Sequence, residues 1–361
     1  MRPCAGLRGI PEPSPEGVGA WTQYGGICHT DLHTIADEPF KRREIFDMET
    51  LNKIVLGHES SGTVYSLGPQ AVSSGLEVGD RVVVHPWLGC GECTECKAGF
   101  TPLCDFNKRG TTEIGQGPTT PGGFGNYVPV PHWRHVTKYP DSIPAEVACM
   151  LPCSVLTTYN ALKQIEHSVR RAAKVRGSAK VLMIGIGGLG MWCLKLANKV
   201  FPDVDLRITA GDVSSDKVAK AKEFGAADGV TWTREDTLRD VVTRLTSNGE
   251  RMFDASIDFV GMKFTGEVGF SSLARGGTLC FIGLAGGQIQ LPIPTLIAKT
   301  LRIQGMRVGT VKQLEEVIQL VGETGISAPP LEIFSLDQVN SAIDKLKAGE
   351  IPGRAVIKHQ H

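Results

Sequence analysis

Two groups of residues with the chemistry of metal ligands lie in the first 153 positions of the chain. The first group has the spacing C-x2-C-x2-C-x7-C and consists of Cys90, Cys93, Cys96 and Cys104. Four thiolates in tetrahedral geometry satisfy a zinc ion completely and leave no position for water or substrate. The spacing therefore predicts a structural zinc ion held inside one short lobe.

The second group of ligands is open. Cys28 lies in the run G-I-C-H-T-D-L-H and His58 lies in G-H-E-S-S-G, and a third ligand is expected much further along the chain. Two cysteines and one histidine leave a fourth zinc position for water or substrate, which is how a catalytic zinc site is built. A structural zinc beside a catalytic zinc indicates zinc-assisted redox or hydrolytic chemistry.

Length and charge limit the classes of protein to consider. A chain of 361 residues is too long for one simple core and fits two domains. Its 38 basic side chains balance 38 acidic ones, so we expect no nucleic-acid partner and no membrane-surface partner. No apolar run approaches the roughly 20 residues that span a bilayer, and we expect no signal peptide. Most of the ten cysteines fall into metal-ligand patterns, which favours a reducing compartment and predicts a cytoplasmic protein.

The elements that would position these ligands change in type along the chain. Short β-branched runs at Gly62–Gly68 and Gly79–His85 predict strands joined by tight turns. From Lys180 onward strands alternate with helices, which is typical of a doubly wound parallel sheet. The predicted strands are Val181–Ile184, Leu206–Ala210, Gly229–Thr231, Asp254–Phe259, Thr278–Ile282 and Leu301–Gln304. The predicted helices are Leu189–Val200, Ser215–Phe224, Glu235–Leu245, Met262–Leu273 and Val311–Thr324.

A glycine-rich loop, G-I-G-G-L-G from Gly185 to Gly190, joins the first of these strands to the helix that follows it. Gly185 permits a tight turn, Gly187 removes a side chain that would block a pyrophosphate, and Gly190 lets helix and strand pack closely. The free amides and the positive dipole end of the helix N-terminus would face the phosphates. The loop and its context therefore predict a dinucleotide-binding domain.

Asp212 follows 22 residues after Gly190, at the end of the next predicted strand. A carboxylate there would accept hydrogen bonds from the adenosine ribose hydroxyls and repel a 2′-phosphate, which favours NAD over NADP. The alternative interpretation is that Asp212 caps the helix that begins near Ser214 and Ser215.

Taken together, the zinc segments, the four-cysteine lobe and the glycine loop resemble the zinc-dependent alcohol dehydrogenases of the medium-chain dehydrogenase/reductase superfamily. The resemblance implies an α/β protein with a β-rich, GroES-like catalytic domain (1–154 and 308–361) and a Rossmann NAD-binding domain (155–307). It also implies that the third catalytic ligand is Cys153, in L-P-C-S-V-L-T-T-Y. A buried core cysteine is the alternative interpretation of Cys153.

The resemblance implies a role for four further residues near the catalytic zinc. Glu59 would be an occasional ligand or a carboxylate behind the metal, and Asp31 would orient His58. Thr30 would hydrogen-bond the substrate oxygen, and His33 would end a proton relay to solvent. Zinc would lower the pKa of the alcohol, and the resulting alkoxide would give hydride to NAD, forming an aldehyde or ketone.

The cofactor would contact a second set of residues. The resemblance places His29 and Arg354 at the pyrophosphate, Thr157 beside the nicotinamide, and Asp212 with Lys217 at the ribose. The loop residues expected to bind NAD are Gly185, Gly187, Gly188, Leu189 and Gly190. The resemblance also implies two zinc ions per chain, a small-molecule alcohol, aldehyde or ketone as substrate, and a homo-oligomer, dimer or tetramer.

Two departures from the family pattern stand out. Residues Pro11–Tyr24 match its first paired strands poorly, because G-V-G-A-W-T-Q-Y breaks the alternation of a strand, so that strand is expected to be absent. Val155 stands where glycine is usual, and could crowd the nicotinamide or tighten the pocket. Two alternatives stay open: a polyol or threonine dehydrogenase of the same superfamily, and a non-catalytic zinc-binding structural protein. Both ligand sets disfavour a zinc-free quinone or enoyl reductase.

Overall fold

The computed structural model describes Ile10 and residues 12–36, 55–105 and 120–360. The chain divides into two compact units, one formed by Met1–Leu156 with Val308–His361 and the other by Thr157–Arg307. In the described ranges the strands are β1 (Val18–Ile27), β2 (Glu59–Leu67), β3 (Arg81–Val84), β4 (Tyr127–Val130), β5 (Val136–Lys138), β6 (Ser178–Ile184), β7 (Asp205–Asp212), β8 (Asp228–Thr231), β9 (Phe253–Asp258), β10 (Leu273–Phe281), β11 (Arg302–Gly305), β12 (Leu331–Ser335) and β13 (Arg354–Lys358).

The α-helices of the described ranges alternate with these strands in the second unit and are sparser in the first. They are α1 (His29–Ala36), α2 (Thr94–Lys97), α3 (Ala145–Ala148), α4 (Leu156–Arg176), α5 (Gly188–Val200), α6 (Ser215–Glu223), α7 (Leu238–Thr246), α8 (Lys263–Ser271), α9 (Ile293–Ala298), α10 (Val311–Thr324) and α11 (Val339–Ala348). None of the helices described is long and apolar enough to cross a membrane.

The first unit is built on a mixed, mainly antiparallel sheet in the order β12-β13-β1-β2-β3-β5, with β4 also paired to β1. The C-terminal strands β12 and β13 run parallel to each other, and β13 pairs antiparallel with the end of β1. Strand β1 therefore joins the N-terminal and C-terminal parts of the chain. A hydrophobic cluster around Ile27, Phe124 and Ile357 packs beside this junction, with Leu32 and Ile35 of α1 against it.

The expectation that the first strand is absent was wrong, because β1 runs for ten residues from Val18 to Ile27. The expected alternation fails for two physical reasons. Register shifts against β2 at Gly19/Ala20 and at Thr22/Tyr24 change which face each side chain occupies. In addition, glycines stand where neighbours come too close for a side chain: a Cβ at Gly19 would lie 1.8 Å from the Tyr127 hydroxyl.

The second unit contains a six-stranded parallel sheet in the order β11-β10-β9-β6-β7-β8. This sheet confirms the prediction of six strands alternating with helices in a doubly wound α/β fold. From β6 the strands that follow in the sequence extend the sheet first on one side, with β7 and β8, and then on the other, with β9, β10 and β11. Ligands of such folds bind at the carboxyl ends of the strands near this switch point. Buried side chains of β6 and its neighbours, including Leu182, Ile184 and Phe253, pack with Val241 and Val268 of the adjacent helices.

Candidate active site

Four residues from three distant parts of the sequence meet in the first unit. One ligand atom each from Cys28, His58, Glu59 and Cys153 lies within 4.8 Å of the others, and all four residues are buried. Two sulfurs, one imidazole nitrogen and one carboxylate oxygen at this spacing could hold a zinc ion. The oxygen Oε1 of Glu59 is buried without a hydrogen-bond partner in the described structure, as expected of an oxygen that can turn toward a metal.

The local sequence explains how Cys28 and His58 reach the same point. Strand β1 ends at Ile27 and α1 begins at His29, so Cys28 occupies the junction, while His58 directly precedes β2. Asp31, in the first turn of α1, accepts hydrogen bonds from the Cys28 amide at 2.9 Å and the Gly57 amide at 3.3 Å. Its Oδ1 also lies 3.5 Å from Nδ1 of His58, which leaves Nε2 of that imidazole available for a metal.

Cys153 lies in a widened helical turn, Leu151–Val155, just before α4. The Val155 amide donates to the Met150 carbonyl at 3.1 Å, a bond that spans five residues instead of four. Such π-type turns redirect one side chain out of the regular helical pattern and are frequent at functional sites. Both Cys153 and Val155 are buried in this turn.

Glu59 forms a buried ion pair with Arg354, the first residue of β13. The Arg354 Nη2 donates to Glu59 Oε2, and only 4% of the Arg354 surface is exposed. Burial raises the pKa of the Glu59 carboxyl, although Arg354 acts in the opposite direction. Strand β1 makes room for this pair, because a Cβ at Gly26 would lie 2.1 Å from Glu59 Oε2.

The ionisable groups of this cluster perturb one another. A hydrogen bond from the Cys153 thiol lowers the pKa of Cys28 well below its usual range, against the effect of burial. The same bond, together with burial, raises the pKa of Cys153 well above its usual range. Burial acts to lower the pKa of His58, but the charge and hydrogen bond of Asp31 together with those of Cys28 outweigh it and raise that pKa well above its usual range. Here the Cys28 thiolate accepts a hydrogen bond from the Cys153 thiol. A metal ion bound by both sulfurs would displace the proton of that thiol.

The second cysteine cluster is separate from the first. One sulfur each from Cys90, Cys93, Cys96 and Cys104 falls within 4.8 Å of the others. Backbone amides point at these sulfurs: those of Cys96 and Asp105 donate to Cys93 Sγ, each at 3.5 Å. The Asp105 and Cys96 amides lower the pKa of Cys93 to about 6, against the effect of burial. Burial, in contrast, raises the pKa of Cys96 to about 12. The four sulfurs lie close enough together to hold a second zinc ion, with no position open to substrate.

The residues expected to handle protons lie on α1, directly after Cys28. Thr30 is half-buried, and its hydroxyl oxygen lies 3.8 Å from the Cys28 sulfur. His33 is also half-buried and follows Thr30 by three residues, so both side chains lie on neighbouring positions of one helix face. His29, the first residue of the helix, is exposed.

The second unit carries the predicted cofactor loop between β6 and α5. Gly185 adopts a φ of +90°, and a Cβ at Gly190 would lie 2.2 Å from the Gly185 carbonyl oxygen. A Cβ at Gly187 would meet nothing within 4 Å, which leaves open space for a ligand. No side chain of the described residues caps the N-terminus of α5, so its first amides are available to a phosphate, including those of Gly188 and Leu189.

Asp212 ends β7 beside this loop and contacts it directly. Its Oδ2 accepts a hydrogen bond from the Ile186 amide at 2.6 Å, and its Oδ1 accepts one from the Ser214 amide at 2.9 Å. The N-cap of α6 is Ser214, whose hydroxyl accepts from the Lys217 amide, so Asp212 is not itself that cap. The Lys217 side chain is half-buried, and Thr157, near the start of α4, is buried.

The sequence reasoning missed two features of the site. One is the pairing of Glu59 with Arg354, whose signal is weak because the two residues lie 295 positions apart. The other is a loop, Gly122–Gly125, whose backbone packs on the segment before His58. The dense glycines of G-G-F-G could have indicated a close backbone approach there.

The fold and the two ligand clusters define a zinc-binding dehydrogenase built from two domains. Residues 15–141 match the family model of the alcohol dehydrogenase GroES-like domain, and residues 188–323 match that of the zinc-binding dehydrogenase domain. An alcohol dehydrogenase of Geobacillus stearothermophilus is 32% identical, covering 92% of this chain and 88% of its own. An NAD-dependent alcohol dehydrogenase of Sulfolobus acidocaldarius is 31% identical, covering 93% and 90%.

Structural comparison agrees with these relatives. The crystal structure of the Aeropyrum pernix alcohol dehydrogenase superimposes with a TM-score of 0.80 at 28% identity, covering 98% of this chain and 95% of that one. The chain therefore belongs to the zinc-dependent alcohol dehydrogenases of the medium-chain dehydrogenase/reductase superfamily. This finding confirms the family to which the sequence was assigned.

Proposed function

We propose that this chain oxidises a small alcohol to an aldehyde or ketone with NAD as hydride acceptor, and catalyses the reverse reduction. The observation that carries the proposal is the open ligand set: Cys28, His58 and Cys153 converge with a carboxylate, one oxygen of which has no hydrogen-bond partner among the described residues. A closed four-ligand zinc site would serve structure alone, whereas this set can leave a position for substrate. The name of the Sulfolobus relative, an NAD-dependent alcohol dehydrogenase, supports NAD as the cofactor.

A zinc ion bound by this set would supply Lewis-acid activation of the substrate hydroxyl, lowering its pKa toward neutrality. The chain's own residues then handle the proton. We assign Thr30 Oγ1 to accept the proton of the substrate hydroxyl as it passes its own proton on, and the His33 imidazole to take up the relayed proton and release it to solvent. The side chain of Asp31 would keep the His58 imidazole oriented, because its Oδ1 lies 3.5 Å from Nδ1 and leaves Nε2 available to a bound metal.

The ion pair of Arg354 with Glu59 balances the negative charge of the Glu59 carboxylate inside the site. Two thiolates would neutralise a zinc ion, and an additional free carboxylate would make the cluster anionic. Arg354 compensates that carboxylate within the same buried volume. We keep the prediction that Arg354 and His29 also approach the cofactor pyrophosphate. We propose that Thr157 borders the nicotinamide.

For the cofactor, we propose that the pyrophosphate binds at Gly187 and at the open N-terminus of α5. Asp212 and Lys217 would hold the adenosine ribose. Each oxygen of Asp212 accepts one backbone amide, and each retains a lone pair for a ribose hydroxyl. A 2′-phosphate would meet this carboxylate, so NAD is the preferred cofactor.

We further propose that residues 1–154 with 308–361 form the catalytic domain and that residues 155–307 form the NAD-binding domain.

The chain is proposed to act in the cytoplasm as a homo-oligomer. Helix α9 supports the oligomer, because Ile293 and Ile297 on it are 65% and 71% exposed, next to the edge strand β11. Light scattering should show a dimer or tetramer, and Ile297→Lys should shift it toward monomer. A monomeric wild type at micromolar concentration would contradict this part of the proposal.

The proposal is tested with a panel of primary, secondary and aromatic alcohols and NAD, following NADH formation. Cys153→Ala should abolish turnover, because it removes one of the ligands that hold the zinc ion. Cys193→Ala is the matched control, since Cys193 is also a fully buried cysteine but belongs to neither ligand cluster. Turnover that survives Cys153→Ala at the wild-type rate would refute the assignment.

A further inference from the structure

The backbone of the loop Gly122–Phe124 is hydrogen-bonded to the three residues that precede the catalytic His58. The Gly122 amide donates to the Val55 carbonyl at 2.8 Å and the Gly123 amide to the Gly57 carbonyl at 2.6 Å. The Phe124 amide donates to the Leu56 carbonyl at 3.0 Å. These bonds fix the path of the chain into His58, together with the bond from the Gly57 amide to Asp31.

The contact is too close for side chains on either backbone. Gly57 has a φ of +92°, and a Cβ there would lie 2.6 Å from the Phe124 ring. On β1, a Cβ at Gly25 would lie 2.4 Å from the Gly123 carbonyl oxygen. The position of Gly123 is therefore set on one face by the His58 segment and on the other by β1, and its carbonyl needs a buried donor.

His359, the residue after β13, supplies that donor. Its Nε2 lies 2.9 Å from the Gly123 carbonyl oxygen, and its Nδ1 lies 2.8 Å from the Asn126 side-chain oxygen position. A carbonyl only accepts, so Nε2 carries the proton and donates to Gly123. In the neutral imidazole Nδ1 then accepts, which requires the Asn126 amide to present its NH₂ group. The His359 amide also donates to the Gln23 carbonyl at 3.0 Å, which ties the backbone of His359 to β1.

We propose that His359 is a positioning residue for the catalytic metal site: its ring holds the Gly122–Phe124 loop against the segment that carries His58. The path has three steps, from His359 Nε2 to Gly123, from Gly123 to Gly57, and from Gly57 through Asp31 to His58. This inference rests on the proposed function in that it takes Cys28, His58 and Cys153 as zinc ligands.

One strand then supports the site from both of its ends. At the start of β13, Arg354 pairs with Glu59, which directly follows His58. Immediately after the end of β13, His359 holds the loop that binds the residues preceding His58. The segment 55–59 is thus anchored on either side of the ligand by two side chains from the C-terminal part of the chain. A loss of either anchor should loosen His58 without touching the four-cysteine lobe.

The test measures zinc release at the two sites of the holoenzyme. His359→Phe keeps a planar ring but removes the donor to Gly123, and His359→Gln retains an amide donor near the position of Nε2. Direct supports of metal ligands change affinity by about 10–100-fold. Because His359 acts through the backbone of Gly123 and Gly57, we expect His359→Phe to accelerate release of the catalytic zinc by about fivefold to tenfold. His359→Gln should recover most of the wild-type rate.

Two controls separate positioning from a general loss of stability. Gln360→Ala changes the neighbouring exposed residue and should leave both zinc release rates unchanged. Leu76→Ala weakens a different hydrophobic cluster of the same unit, one that does not include Phe124 of the loop, and so lowers stability elsewhere. At equal loss of thermal stability, only His359→Phe should release the catalytic zinc faster. Hydrogen exchange should show loss of protection at the Gly122–Phe124 amides in that variant alone.

The outcomes distinguish this inference from the proposed function. If the wild type holds two zinc ions and His359→Phe releases both at the wild-type rates, the positioning role of His359 is wrong and the metal assignment stands. If Leu76→Ala accelerates release as much as His359→Phe, the effect is general destabilisation and the inference is overturned. If the wild type holds no zinc at Cys28, His58 and Cys153, the proposed function itself fails.

Discussion

Asp31 provides the most quantitative test of how the catalytic zinc ligands are held. Its two carboxylate oxygens face three donors: the Cys28 amide, the Gly57 amide and the His58 ring nitrogen Nδ1. In Asp31→Asn the side-chain oxygen can satisfy one amide, but the NH₂ group must face another donor. The substitution thus converts one attractive contact into a donor–donor contact inside a buried site.

The magnitude follows from these contacts. A hydrogen bond to a charged group contributes about 1.5–3 kcal/mol, and an unsatisfied buried donor costs about 1–3 kcal/mol. Loss of a residue that orients a metal ligand typically weakens metal affinity by about 10–100-fold. That range corresponds to about 1.4–2.7 kcal/mol, which agrees with the loss of a single charge-assisted bond. We therefore expect Asp31→Asn to weaken the catalytic zinc by about 10–100-fold and to leave the four-cysteine zinc unchanged.

The assay is elemental analysis of protein equilibrated with a series of chelator concentrations, together with thermal unfolding. Asp254→Asn is a matched control in the second unit, because Asp254 is buried and both of its oxygens accept from donors, those of Arg176 and the Lys180 amide. This control should lower stability without altering either zinc site. Equal zinc affinity in Asp31→Asn and wild type would refute the reasoning, as would a matching loss of zinc in Asp254→Asn.

Three further results are expected. The freshly purified protein should hold two zinc ions per chain, and a chelator should remove the zinc that is open to water first. Elemental analysis over time measures both, and one zinc or none in active protein would contradict the two ligand sets. Asp212→Gly should relax the preference for NAD over NADP, mainly through the KM of the cofactor, and a wild type that used both cofactors equally would remove this role from Asp212. His33→Gln should slow alcohol oxidation by about tenfold to a hundredfold at most, with zinc content retained, a changed pH dependence and partial rescue by added buffer bases. Loss of zinc in that variant, or full activity from pH 6 to 9, would exclude the relay.

The sequence was sufficient for the parts of the molecule that local patterns encode. The four-cysteine spacing, the strand–loop–helix at Gly185–Gly190 and the alternation of strands and helices each lie within a short stretch. Their physical requirements, such as a positive φ at Gly185, act on neighbouring residues. The geometry of the four-cysteine lobe and of the glycine loop therefore follows from the local sequence.

Features that depend on distant backbone could not be predicted in the same way. Strand β1 was missed because its glycines serve contacts with Tyr127 and Glu59 that are not visible in the sequence pattern of the strand. The pairing of Glu59 with Arg354 and the hydrogen bond from His359 to Gly123 join residues more than 230 positions apart. Only the packing of the C-terminal strand beside β1 brings those residues together.

The central claim, zinc-dependent oxidation of an alcohol by NAD, is tested most directly by measuring turnover against occupancy of the open zinc site. The catalytic zinc is removed in steps with a chelator while the four-cysteine zinc is retained, and NADH formation is followed with the best alcohol of the panel. The rate should fall in proportion to the zinc lost and return when one equivalent of zinc is restored. Undiminished turnover in protein whose Cys28, His58 and Cys153 site is empty would contradict the account.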